Sequence, residues 1–218
     1  MKLNKILFAA KSKGLVINTV YDIGACNGSW SMNMRYNLLP NAKFYLFEGN
    51  PAYEEQLKSR NTPYFITVLS NPDRGEVEFF NGTNTGDSYY KETTKIYDTM
   101  SSIHLPTQTL DNLIQEQDLP IPQFVKLDTQ GSELDILAGA KTILGKTEFL
   151  LTEMPIVEYN KGAPKFSDYV DVMKENDYVP IDIIDVIHAE DTLLQLDVLF
   201  MLKSAKEKFL GAYDVIRV

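Results

Sequence analysis

The feature that most constrains this chain is an alternation: short β-branched and aromatic runs separated by segments of helical periodicity. That rhythm is how βαβ units read, and such units build a mostly parallel sheet with helices on both faces. Strands are expected over Val16 to Ile23, Lys43 to Phe47, Tyr64 to Leu69, Phe124 to Asp128 and Phe149 to Met154. Helices are expected over Ser29 to Leu38, Pro51 to Ser59, Leu110 to Gln117 and Phe166 to Asn176. A further helix is signalled by Leu134, Leu137, Ala140 and Leu144, which share one face. Tyr178 to Ile187 and Leu193 to Leu202 read as an antiparallel hairpin that closes the sheet.

The rhythm breaks once. Gly75 to Phe80 adds an extra strand, and residues 81–109 are polar and carry no strong pattern. So long a stretch inside a compact domain is often functional. It is expected to be an insertion in a single domain spanning 1–218, placed to act as a lid on the acceptor side of a site.

The first strand runs into Asp22-Ile23-Gly24-Ala25-Cys26-Asn27-Gly28. Glycines at 24 and 28 allow a sharp turn and a close backbone approach to a ligand. The spacing is Gly-x-x-x-Gly, not the Gly-x-Gly-x-x-Gly that seats a pyrophosphate on a helix N-terminus. A nicotinamide dehydrogenase is therefore the weakest reading. S-adenosylmethionine has no phosphate and suits this looser bend. Glu48 ends the second strand, where a carboxylate can accept hydrogen bonds from both ribose hydroxyls. Ser70-Asn71 closes the third strand on the same edge. Cys26 reads as a small loop residue, because no basic neighbour in sequence would activate its thiol.

Charge narrows the partners. Thirty acidic residues oppose 21 basic ones, for a net charge of −9. Sequence-independent nucleic-acid binding draws on Lys and Arg contacts to phosphates, so neither nucleic acid nor an anionic membrane is an expected partner. Cys26 is the single cysteine, which excludes an internal disulfide and fits a reducing compartment. The apolar run Ile6 to Ala10 is too short for a signal-peptide core, and no stretch approaches the ~20 apolar residues of a membrane span. A cytoplasmic location is expected.

Several blocks in order resemble the FkbM family of S-adenosylmethionine-dependent methyltransferases, over roughly Val20 to Leu202. They are Asp22 to Gly28, Phe47-Glu48-Gly49-Asn50-Pro51, Thr109 to Leu113, Val125 to Ala140, Glu153, and Gln195 to Phe200. The resemblance implies a class I methyltransferase fold and methyl transfer to oxygen, often on sugars or other small hydroxyl compounds. Cys26 stands where the family commonly has Asn, Gly49 where it has Pro, and Gln130 where Glu is frequent. The residues expected at the cofactor are Asp22, Gly24, Ala25, Gly28, Glu48, Asn50 and Ser70.

Ligands of open α/β sheets sit outside the carboxyl ends of the strands. Asp128 and Glu153 end neighbouring strands and should face that crevice. Asp128 is expected as general base or acceptor anchor, with Glu153 as a second acceptor contact. Glu133 reads equally as a helix-start residue. Lys126, inside an apolar strand, needs a carboxylate partner or a route to solvent. His104 would serve as a base only if the polar insertion folds over the site. His188 falls at the hairpin tip. No third ligand joins Asp128 and Glu153, so no metal is expected. The alternatives are methylation of nucleic acid or protein, or a non-catalytic binding protein on a degenerate methyltransferase fold. Oligomeric state is not encoded in any pattern of this sequence.

Overall fold

A computed structural model describes residues 2–82, 86–93 and 101–210. Its strands are β1 (Thr19–Ile23), β2 (Lys43–Glu48), β3 (Tyr64–Ile66), β4 (Val68–Leu69), β5 (Glu76–Asn81) and β6 (Ser101–Gln108), followed by β7 (Phe124–Leu127), β8 (Phe149–Pro155), β9 (Tyr178–Ala189) and β10 (Thr192–Leu202). The helices are α1 (Lys2–Ser12), α2 (Ser29–Asn37), α3 (Glu54–Lys58, entered through a 3₁₀ turn at Pro51–Tyr53), α4 (Leu110–Gln117), α5 (Glu133–Ala138), α6 (Phe166–Glu175) and α7 (Lys203–Phe209).

Seven strands form the main sheet in the order β3-β2-β1-β7-β8-β10-β9. β1 pairs parallel with β2 and β7, and β7 with β8. β10 alone is reversed, antiparallel to both β8 and β9. This is the expected sheet with its closing hairpin.

The pleat sends alternate residues of each strand to opposite faces. On one face Tyr21, Ile23, Phe47, Val125 and Leu150 pack under Leu113 of α4, Leu137 of α5 and Met173 of α6. On the other, Val20, Phe44, Phe124, Leu151 and Leu199 pack under Leu7 of α1, Met34 of α2, Leu57 of α3 and Phe209 of α7. Each such side chain, fully buried, stabilises the fold by ~1.5–3 kcal/mol.

The structure departs from the sequence reading in identifiable places. Tyr64 to Leu69 is not one strand. It breaks at Thr67, whose N–H is drawn to the Glu48 carbonyl, so β3 joins the main sheet and β4 joins a small sheet of order β4-β6-β5. The stretch 81–109, read as patternless, contains β6. Ile103 and Leu105 alternate there with polar residues, residues 101–106 pair with β5, and Thr107 and Gln108 pair with β4. Residues 83–85 and 94–100 of that stretch lie outside the described residues. α5 ends at Ala138 rather than continuing to Leu144. Gly139 runs against the Ser70 carbonyl, and the Asp111 carboxylate takes the N–H groups of Lys141 and Thr142 that a longer helix would use itself. α1 and α7 lie outside the expected alternation and cover the second core. Among the described residues no helix is long and apolar enough to cross a membrane.

Candidate active site

From β1 the chain winds to β2 and β3 on one side, then returns to β7 on the other. Where strand order reverses in this way, a crevice opens beyond the carboxyl ends of the strands. A cleft of about 580 Å³ lies there.

One half is built by the glycine bend. Gly24 has φ +79°, and a Cβ added to it would lie 1.8 Å from the Asp128 carbonyl oxygen, so only glycine fits. The N–H groups of Gly24 and Ala25 donate to the Phe47 carbonyl at 2.9 and 3.0 Å. Glu48 locks the bend from the adjacent strand: its carboxylate accepts from the N–H of Cys26 at 2.6 Å and of Asn50 at 2.8 Å. Burial pushes the Glu48 carboxyl up to about 7, against those two hydrogen bonds. Cys26 takes a left-handed φ of +50°, a conformation Asn tolerates better than Cys. Burial also raises its thiol pKa, which opposes a nucleophilic role.

The other half is a row of charges. Lys126 bridges two carboxylates, 3.5 Å from Asp22 and 2.9 Å from Asp128. Burial pushes Asp128 upward, but the Lys126 ammonium and hydrogen bonds from Lys126, Gln130 and Glu153 outweigh it and hold the carboxyl below its ordinary range. Glu153 goes the other way, raised well above the carboxylate range by burial and then by the charges of Asp128, Glu133 and Asp197. Gln130 donates to both Glu153 oxygens at 3.0 and 3.1 Å, and the Gln195 amide also donates to this carboxyl. Tyr159 donates to Gln195 at 2.6 Å and lies 3.0 Å from Glu153. Two carboxyls with opposed environments is the usual mark of divided roles.

A strap borders the cleft, with Gly86, Asp87, Ser88 and Tyr89 in its lining. Ser88 pairs with Phe80 of β5 through two backbone bonds, and Thr93 and Lys91 pair with Tyr159 and Lys161 beyond β8. Just before the first anchor Asp87 accepts from Asn50 at 2.7 Å, and between the anchors the Tyr89 and Tyr90 hydroxyls donate to Asp135 at 3.0 and 2.8 Å.

Of the expected residues, Gly24, Ala25, Glu48, Asp128 and Glu153 line the cleft. Asp22, Gly28, Asn50 and Ser70 stand one layer behind. Asp22 holds Lys126 and accepts from Ser31 at 2.6 Å. Gly28 packs on Leu46, Leu57 and Arg60, Asn50 caps the 3₁₀ turn, and Ser70 meets the Tyr89 hydroxyl. Glu133 is an internal clamp, accepting from Thr129, Gly131 and the Tyr169 hydroxyl. His104 is exposed on β6 and His188 pairs with Leu193 near the hairpin tip; neither lines the cleft. Sequence reasoning missed Asp87, Tyr89 and Asp197 in the lining. Asp197 carried a usable signal, a carboxylate inside the apolar run Leu196 to Phe200, while Asp87 and Tyr89 carried none. Among the described residues, no group of three or more His, Cys, Asp or Glu side chains is arranged to hold a metal ion.

A Rossmann-like sheet with one reversed strand, a glycine bend and a carboxylate on the next strand define a class I methyltransferase. The fold is shared with magnesium protoporphyrin IX methyltransferase (ChlM) from Synechocystis PCC 6803, solved with bound SAM. That match has a TM-score of 0.52 at 12% identity and covers 92% of this chain and 76% of that one. Over residues 22–180 the sequence matches the Methyltransferase FkbM domain, and the chain belongs to that family. Among curated relatives it is similar to 2-O-methyltransferase NoeI of Sinorhizobium fredii, 25% identical over 177 residues, or 71% of this chain and 70% of the relative. It is also similar to hexuronic acid methyltransferase AglP of Haloferax volcanii, 25% identical over 118 residues, 52% of this chain and 47% of the relative. The protein is an S-adenosylmethionine-dependent methyltransferase. The cleft fits that cofactor: Gly24 leaves its floor bare of a side chain, Glu48 is fixed beside the bend, and the buried Thr129 hydroxyl in the lining has no hydrogen-bond partner among the described residues.

Proposed function

We propose that the chain methylates a hydroxyl oxygen of a sugar, or of another small molecule or glycan. One observation carries this reading: Asp128, held ionised by Lys126 yet 39% exposed at its side chain, lines the same cleft as the Gly24–Glu48 cradle. The names of the two relatives, a 2-O-methyltransferase and a hexuronic acid methyltransferase, support the acceptor class.

When bound, S-adenosylmethionine supplies an electrophilic methyl carbon on a sulfonium that is already a good leaving group. The protein's task is alignment, worth several kcal/mol, and acceptance of the hydroxyl proton. Gly24, Ala25 and Glu48 hold the nucleoside, with Asp22, Gly28, Asn50 and Ser70 supporting them from behind. Asp128 anchors the acceptor hydroxyl or serves as its base, and Glu153 makes a second contact to the acceptor. The strap 86–93 covers the pair and limits water.

The test is adenosylhomocysteine release from a panel of hexoses and hexuronates, by wild type and by Asp128→Ala. The variant is expected to lose ~10²–10⁴-fold in rate. A folded variant with near-normal turnover would remove Asp128 from the chemistry.

A further inference from the structure

We infer that Asp197 is the group that takes the proton from the acceptor hydroxyl; this rests on the reading that the acceptor atom is oxygen. Leu127 of β7 is in register with Thr152 of β8, so Asp128 falls beside Glu153, and Glu153 pairs directly with Asp197 of β10. Three carboxyls thus stand in one row along the cleft, with Glu153 in the middle.

Two members of the row are committed. Asp128 is tied to Lys126 at 2.9 Å, and an anion so well paired has little affinity for a further proton. Glu153 is raised by burial and by its acidic neighbours, and both of its oxygens are already taken by hydrogen bonds from Gln130, Tyr159 and Gln195. The Asp197 side chain makes no hydrogen bond or salt bridge with any described residue, and it lines the cavity. The charged groups facing it are Asp128 and Lys126 from β7, Glu153 from β8 and Asp185, its register partner on β9. Burial first, then the charges of Asp128 and Asp185, offset in part by Lys126, lift its carboxyl to about 6. It is therefore ionised at neutral pH and close enough to that pH to hold a proton transiently, as efficient general bases do. In the step, a lone pair of the hydroxyl oxygen forms the new O–C bond, the C–S electron pair leaves with sulfur as adenosylhomocysteine, and the O–H proton passes to Asp197 and then to water.

Two measurements test this. The first needs no acceptor: a ¹³C-carboxyl NMR titration of the full chain should place Asp197 near 6, and Asp128→Asn should lower it by removing a like charge. A value in the ordinary range near 4 overturns the assignment. The second is adenosylhomocysteine release from methyl glucoside and methyl glucuronide across pH. At saturating S-adenosylmethionine, Asp197→Asn should lose ~10²–10⁴-fold in kcat/KM for the acceptor together with the acidic limb of the profile. Adenosylhomocysteine affinity should stay unchanged, and Asp197→Glu should recover part of the rate. Retained activity with the same acidic limb overturns it. A wild type that methylates neither sugar refutes the acceptor class instead, and the Asp197 assignment is then decided by the titration.

Discussion

The carboxylate of Glu48 accepts the N–H of Cys26 at 2.6 Å, so the end of the second strand is stitched to the glycine bend that follows the first. The half of the cleft proposed to take the cofactor is thus tied together by the chain's own hydrogen bonds. Its cost is a buried carboxyl whose pKa stands at about 7.

That shift has a sign in both stability and binding. The folded chain holds this proton more tightly than the unfolded chain, whose carboxyl titrates near 4.5. The stabilisation is therefore complete below that value and is lost as pH rises through about 7. Ribose hydroxyls donate to the ionised form, so cofactor binding should run the opposite way. Calorimetry should show adenosylhomocysteine binding about thirtyfold more tightly at about pH 8 than at about pH 5.5. Glu48→Ala should abolish the difference and weaken binding by ~1.5–3 kcal/mol.

Lys126 has two carboxylate partners and a side chain only 10% exposed. Lys126→Met would leave Asp22, which has no exposure, without its counter-ion. A loss of ~3–5 kcal/mol in urea unfolding is expected. Adding Asp22→Asn should restore part of it; strict additivity of the two changes would show that the pair is not coupled.

Gly24→Ala tests the contact between β1 and β7. The new Cβ would collide with the Asp128 carbonyl, and φ at this position is +79°. The two effects together should cost about 2–5 kcal/mol. A variant with an unchanged denaturation midpoint would mean that the strand ends are not so closely apposed.

The strap depends on Arg74, which lies 4.9 and 5.5 Å from the rings of Tyr89 and Tyr90 and 3.1 Å from Asp135. Arg74→Ala should preserve the fold and speed adenosylhomocysteine release by about 5- to 30-fold, from the ~1–2 kcal/mol such a stacked cation contributes. Stopped-flow dissociation at the wild-type rate would show that the strap does not retain the ligand.

Much of the site was legible because its signals are local. Apolar runs ending in Asp128 and reaching Glu153 place those carboxyls at strand ends, and a bend with Gly at 24 and 28 tolerates the positive φ found there. Other features had no local trace. Nothing near Tyr89 in sequence marks it as a ligand of Asp135, and nothing near Thr67 says that the chain changes sheets there. α1 was missed because its apolar positions, Leu3, Leu7 and Ala10, belong to a core completed only by distant strands.

The sequence alone determined most strands of the main sheet and the helices between them, where the chain must bend sharply, and which carboxyls fall toward the ends of the central strands. These follow from periodicity, turn stereochemistry and apolar patterning, all properties of neighbouring residues. Tertiary structure alone decided which carboxyl is held ionised, which binds its proton more tightly, and which has a side chain without a partner among the described residues. Proton affinity depends on burial and on charges brought close from other strands, and only the folded sheet sets Lys126 against Asp128 and Glu153 beside Asp197.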